Sequence, residues 1–320
     1  MSVPDGGSTP ADNPPPSGAD VPWPESSPSP AGVLPVLSRS AHDRSHLARA
    51  LPDPTGGRPV RVLTVDERRT VPVEEADGGP RLVWEQRTRL PDGAVFLGEA
   101  GGVPYAAVRG ERRLSVGGRR VDAWAGLRDV GADLDDLDAG LLAQAVAMVE
   151  WHERNRFSPL SGARTTVERA GWVQRDPDTG TELFPRTDPA VIMLVHDGGD
   201  RCVLGRQAVW PPGRFSILAG FVEPGESAEA AVAREVAEEV GLRVTDIRYV
   251  GSQPWPFPQS LMLGFTARAE GDPTLRLDPT EIEEARWFTR EELRSGAGPR
   301  ALPPPVSIAR HIIDRWLKDD

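Results

Sequence analysis

The chain has 320 residues, long enough for two domains, and 48 Asp and Glu against 37 Lys and Arg give it a formal net charge of −11. That charge argues against nonspecific binding of nucleic acid or anionic membrane, both of which need a basic footprint, and it suits a site that collects divalent cations. A single cysteine, Cys202, excludes an intrachain disulfide and a cysteine-rich zinc site; with no apolar run near the 18 or so residues that span a bilayer, a cytoplasmic protein without a membrane partner is expected.

Residues 1–30, with PADNPPPSGADVPWPESSPSP at their heart, have almost nothing to bury and predict a disordered tail. Residues 31–155 read as a strand-rich domain, because β-prone runs such as VRVLTV, AVFLG and VPYAAVRG alternate with Gly and Pro. Leu142, Ala145, Val146 and Val149 fall at helical spacing, so an amphipathic helix over 139–154 closes it. A polar, turn-rich connector over 156–185 leads to the apolar strand VIMLV and a second domain, 186–320. The predicted class is α+β. Cys202, within CVLG, reads as a buried small hydrophobe.

The stretch GFVEPGESAEAAVAREVAEEVGL, from Gly220 to Leu242, carries the most information. Ser227 suits an N-cap, Glu229 the positive first turn, and Gly241 a left-handed helix end. At ~100° per residue Glu235, Glu238 and Glu239 share one face, with Ala233, Val236, Ala237 and Val240 opposite. Like charges at this spacing oppose the helix, so they call for a cation or full solvation. The order G-x5-E-x7-R-E-U-x-E-E-x-G-U, U being a bulky aliphatic, is met without a mismatch, and its seven fixed positions arise by chance about once in 10⁸ windows. In these residues the chain resembles the Nudix hydrolases. The resemblance implies an α/β/α sandwich with a mixed sheet, and hydrolysis of a nucleoside diphosphate linked to a further group. It also implies that Gly220 and Glu226 belong to a loop folded over the helix, that Arg234 orients the glutamates, and that Glu235, Glu238 and Glu239 hold Mg²⁺ or Mn²⁺. The motif leaves the general base open among the glutamates; Glu239 is the favoured candidate.

Further on, SQPWPFPQS places three prolines among two aromatic rings and reads as a stiff irregular loop, either a core plug or a ring-binding wall. At Ser252, Gln253, Pro254, Trp255, Pro256, Phe257, Pro258 and Ser260 it is similar to the segment that marks the NADH pyrophosphatase branch of the Nudix family. The likeness extends over most of the chain and implies a Nudix-like first domain. It implies substrate contacts from Phe221, Gln253, Trp255, Phe257, Ser260 and Ala309, a further metal ligand at Glu281 with Glu284 assisting, and a homodimer in which Phe221 faces a tryptophan of the partner. The implied reaction cleaves NADH or NAD to nicotinamide mononucleotide and AMP; removal of NAD caps from RNA 5′ ends and a broader ADP-ribose or dinucleotide pyrophosphatase are the alternatives. One feature departs from the branch: the positions of its four zinc-ribbon cysteines hold Ser158, Ser161, Asp176 and Thr179. Hydroxyls are poor zinc ligands, so no structural zinc is expected and the connector should keep its path by turns and packing.

Overall fold

In the computed structural model, which describes residues 34–112, 115–116 and 119–318, the predicted tail over 1–30 lies outside the described residues. Four strands, β1 (Val60–Val65), β2 (Glu85–Arg87), β3 (Val95–Ala100) and β4 (Val103–Arg109), form the first sheet in the order β2-β1-β4-β3. β1 and β4 run parallel, while the outer pairs are antiparallel. Alternation along the strands sends Leu63, Val65, Leu97 and Tyr105 to a face covered by helix α1 (Asp136–Arg154), and Val60, Val62, Ala94 and Ala106 to a smaller cluster behind it. The helix begins earlier than its apolar spacing indicated, because Asp135 caps it by accepting the Asp138 N–H at 2.8 Å. It is also buried on most sides. The arm that includes Val36–Ser38 crosses the face left open by the sheet, close enough that a Cβ on Gly140 would lie 2.9 Å from the Arg39 carbonyl oxygen.

The connector holds a three-stranded antiparallel sheet of Thr166–Glu168, Val173–Arg175 and Glu182–Leu183. At its root the Ser158 hydroxyl donates to Asp176 Oδ2 at 2.6 Å, and Asp176 Oδ1 accepts the Asp178 and Thr179 N–H groups at 2.9 and 3.2 Å. The Ser158 hydrogen bond, with those of Ser161 and the backbone, holds the Asp176 carboxyl well below the usual range. Two turns are thereby tied together by a hydroxyl–carboxylate bond.

The second domain is a mixed sheet of β5 (Asp188–His196), β6 (Arg201–Arg206), β7 (Leu218–Phe221), β8 (Arg243–Trp255), β9 (Ser260–Glu270) and β10 (Glu284–Thr289). Its order is β8-β9-β5-β6-β10, with β7 also pairing β5; β5 and β9 run parallel, from Asp188 opposite Ser260 to His196 opposite Arg268. Val191, Met193 and Val195 pack under helix α2 (Ala228–Val240), while Ile192 and Leu194 pack under α3 (Ile308–Lys318) on the other face. The result is an α/β/α sandwich. Cys202 lies inside it, where burial pushes its thiol up to about 12.

The segment Ser252–Trp255, expected to be irregular, instead finishes β8, with Trp255 opposite Ser260 in the ladder. Since β8 is the outermost strand, Pro254 can sit there without forfeiting a ladder bond that the sheet needs. Only the turn 256–259 is free of strand pairing. The arm joins the domains here, the Ser38 hydroxyl donating to the Ser252 carbonyl. Among the described residues no helix is long and apolar enough to cross a membrane.

Candidate active site

Helix α2 is placed by its ends: Ser227 Oγ accepts the Ala230 N–H at 3.2 Å, and Gly241, at φ 70°, closes the last turn. Side chains four apart form rows along a helix. The row Val232, Val236 and Val240 is buried against the sheet, the row Ala231, Glu235 and Glu239 lies beside it, and Arg234 and Glu238 form the outer row. Ala233 and Ala237, expected on the core side, are half-buried and exposed, because the stripe that meets the sheet is centred on Val236. Two glutamates therefore sit at the margin of the core.

Glu235 passes over Gly220 of β7, where an added Cβ would meet its carboxyl at 1.8 to 2.1 Å; only glycine leaves that space. All five N–H donors of Arg234 are engaged. Nε and Nη2 each donate to Glu226 at 2.9 Å, Nη2 also to the Phe221 carbonyl at 2.9 Å, and Nη1 to Glu235 at 2.8 Å and Glu238 at 2.9 Å. The Arg234 hydrogen bonds hold Glu226 below the ordinary carboxylate range and raise the guanidinium's own pKa.

A loop over 271–283 brings in Glu281. Its Arg276 and Asp278 N–H groups donate to the Val240 and Glu239 carbonyls at 2.9 and 3.3 Å, satisfying the end of α2. Carboxylate oxygens of Glu235, Glu239 and Glu281 then lie within 4.8 Å of one another. Glu239 accepts the Ala219 N–H, but its Oε2 is buried with no partner. Burial, then the charges of Glu235 and Glu281, push Glu239 up to about 8; burial also raises Glu235, against the pull of Arg234. Crowded oxygens of one sign with an unpartnered buried atom among them fit a hard divalent cation. Glu238, expected in the same ligand set, stands at the rim, exposed and bound to Arg234. The trio lines a cleft of about 980 Å³ together with Phe221, Ser260 and Met262.

A family profile described as NUDIX domain matches residues 186–310, and one described as NADH pyrophosphatase-like rudimentary NUDIX domain matches residues 63–151. Over 300 residues the chain is 46% identical to the NAD-capped RNA hydrolase NudC of Mycobacterium tuberculosis (strain ATCC 25618 / H37Rv), a match covering 88% of this chain and 95% of that protein. The chain belongs to the NADH pyrophosphatase branch of the Nudix family. NudC of Mycobacterium bovis (strain BCG / Pasteur 1173P2) matches with the same identity and coverage. The NAD-capped RNA hydrolase NUDT12 of Homo sapiens is 41% identical over 199 residues, 58% of this chain and 43% of that protein. The two Nudix halves share a parallel central pair, β1 with β4 and β5 with β9, but the glutamate signature stands only in the second.

Beside the Nudix cleft, a second hollow of about 420 Å³ opens between the domains, and Ser260 lines both. The two differ in lining, although Arg39 and Arg186 are paired with Asp136 and Asp188 at 3.1 and 2.7 Å. The hollow is lined by Arg39, Arg44 and Arg186 with no carboxylate, whereas the cleft sets Arg234 among seven acidic residues. Trp255 lines the hollow and meets Phe257 edge to face at 5.0 Å, with Arg128 lying 5.4 and 4.1 Å from the two ring centres. Both rings also pack on the first domain's core, so Trp255 plugs that core and lines the hollow with the same side chain. Gln253, expected to bond substrate, is fully buried and donates to the Val306 carbonyl at 3.2 Å; it braces the approach to α3 instead. Ala309 is likewise buried, within the α3 core. Glu284, read as an assistant to Glu281, sits on β10 near Arg286, and its neighbour Glu283 faces the cleft in its place. Gln207 and Glu283 line the cleft unannounced by any motif, since the pairing of β6 with β10 is what brings them there.

Proposed function

We propose that the protein hydrolyses the pyrophosphate of NADH and NAD, with Mg²⁺ or Mn²⁺ as cofactor, to nicotinamide mononucleotide and AMP. The observation that carries this reading is the trio Glu235, Glu239 and Glu281 in a cleft roomy enough for a nucleotide. Those three side chains, with Glu238 approaching from the rim, would hold the cation, which supplies positive charge at the pyrophosphate and makes water more acidic. Arg234 orients the carboxylates. Glu239, one of whose carboxylate oxygens is buried without a partner, is the residue we assign to accept a proton from the attacking water. The water oxygen joins one phosphorus, the bridging P–O bond breaks, and the bridging oxygen departs on the other phosphate.

Removal of NAD caps from RNA is a second reading of the same bond cleavage. It is supported by the names of the relatives. We further propose a cytosolic homodimer in which the partner chain covers the exposed Phe221. Turnover of NADH, NAD, ADP-ribose and NAD-capped RNA, measured side by side, ranks the substrates. Loss of turnover in excess chelator and a fall of about 100-fold or more in Glu239→Gln are the expected results; activity indifferent to both would overturn the reading.

A further inference from the structure

We propose that Arg206 is a positioning residue that holds Glu281 beside Glu235 and Glu239 in advance of the cation; this rests on reading the trio as a cation site. Arg206 ends β6 and is only 7% exposed. Its Nη1 pairs with the Glu283 carboxylate, its Nη2 donates to the Trp210 carbonyl at 2.9 Å, and its own carbonyl accepts the Glu283 N–H at 3.0 Å. Main chain and side chain of one residue thus grip Glu283, two positions from Glu281.

The other end of this short arch is gripped by α2. Asp278 N–H donates to the Glu239 carbonyl, and the Asp278 carboxylate accepts the N–H and hydroxyl of Thr280 at 2.8 and 2.6 Å. Ile282 is buried between the two anchors. Glu281 itself is exposed and belongs to no helix or strand, so this arch sets where its main chain, and with it the carboxylate, is carried. Stability alone is a poor reason to bury the guanidinium, since Arg206 Nε has no partner and the carboxylate it pairs with, Glu283, is half exposed, where an ion pair contributes little. Partners that orient metal ligands, in contrast, change metal affinity by about 10–100-fold when removed.

The test is a Mn²⁺ titration of the full chain, free ion being read by its paramagnetic resonance signal. The proteins compared are wild type, Arg206→Met, Glu281→Gln and the double variant. Arg206→Met should raise the Mn²⁺ Kd about 10–100-fold, and should add nothing in the Glu281→Gln background. Glu283→Gln, which loosens the same grip from its solvent side, should shift Kd the same way by less and guards against a misfolded Arg206 variant. An unchanged Kd in both grip variants, or a full additional factor on top of Glu281→Gln, would overturn the role of Arg206. Should Glu281→Gln alone leave Kd unchanged, the trio is no cation site and the proposal falls with it.

Discussion

Glu239 shows how one position sets both a liability and a function. Its folded pKa of about 8, against an ordinary 4.5, means that the metal-free fold binds a proton the unfolded chain releases. Stability of metal-free protein is therefore full below about 4.5, falls as pH rises toward about 8, and is level above; Glu235, raised for the same reason, adds to the slope. In chelator, Glu239→Gln should flatten this dependence and melt higher than wild type at pH 8, while with Mn²⁺ it should lose about 100-fold or more in kcat. Melting curves that keep the wild-type slope would show that Glu239 is not the buried acid. Gly220→Ala tests the opposite wall. Its methyl group would land on the Glu235 carboxyl, so a loss of about 10–100-fold in Mn²⁺ affinity is expected, and unchanged binding would mean that Glu235 has no fixed station.

Elements whose causes are local can be read directly from the order of residues. Ser227, Glu229 and Gly241 mark both ends of α2 because caps act within one turn, and the glutamate rows follow from helical geometry. Pairing between distant segments is what a linear sequence does not display. Pro254 signals a stiff segment but says nothing of whether that segment lies at a sheet edge, and Gln253 matches a motif while the strand turns it inward. Arg206 is silent for the same reason: its partner is 77 residues away. The connector is intermediate, for its four substituted positions are visible in the sequence but their replacement bond is not. Asp176, held low chiefly by Ser158, contributes stability that is full above the ordinary aspartate pKa of 3.8 and is lost as pH falls through the depressed folded value. Ser158→Ala should therefore lower the melting temperature at neutral pH and lessen its decline in acid. Zinc analysis of the wild-type chain should read well below one ion per chain; a stoichiometric content would mean that metal, not this bond, ties the turns.

At the scale of the molecule, charge and exposed apolar surface pull against each other. Phe221 is 59% and Val209 86% exposed, and both line the cleft, an apolar rim that a second copy of the chain would cover. Yet each copy carries a formal charge of −11, so two copies repel beyond contact range, and salt shortens that repulsion to about 8 Å at physiological strength. Association driven by apolar burial against like charge should strengthen with salt, whereas a contact made of ion pairs would weaken. Light scattering at about 0.15 M salt is expected to give twice the chain mass, falling toward one chain at low salt and in Phe221→Asp, with NADH turnover per chain falling in step. If the wild-type chain stays single at micromolar concentration and keeps its full turnover, the cleft is complete within one copy, and Phe221 meets substrate rather than a partner.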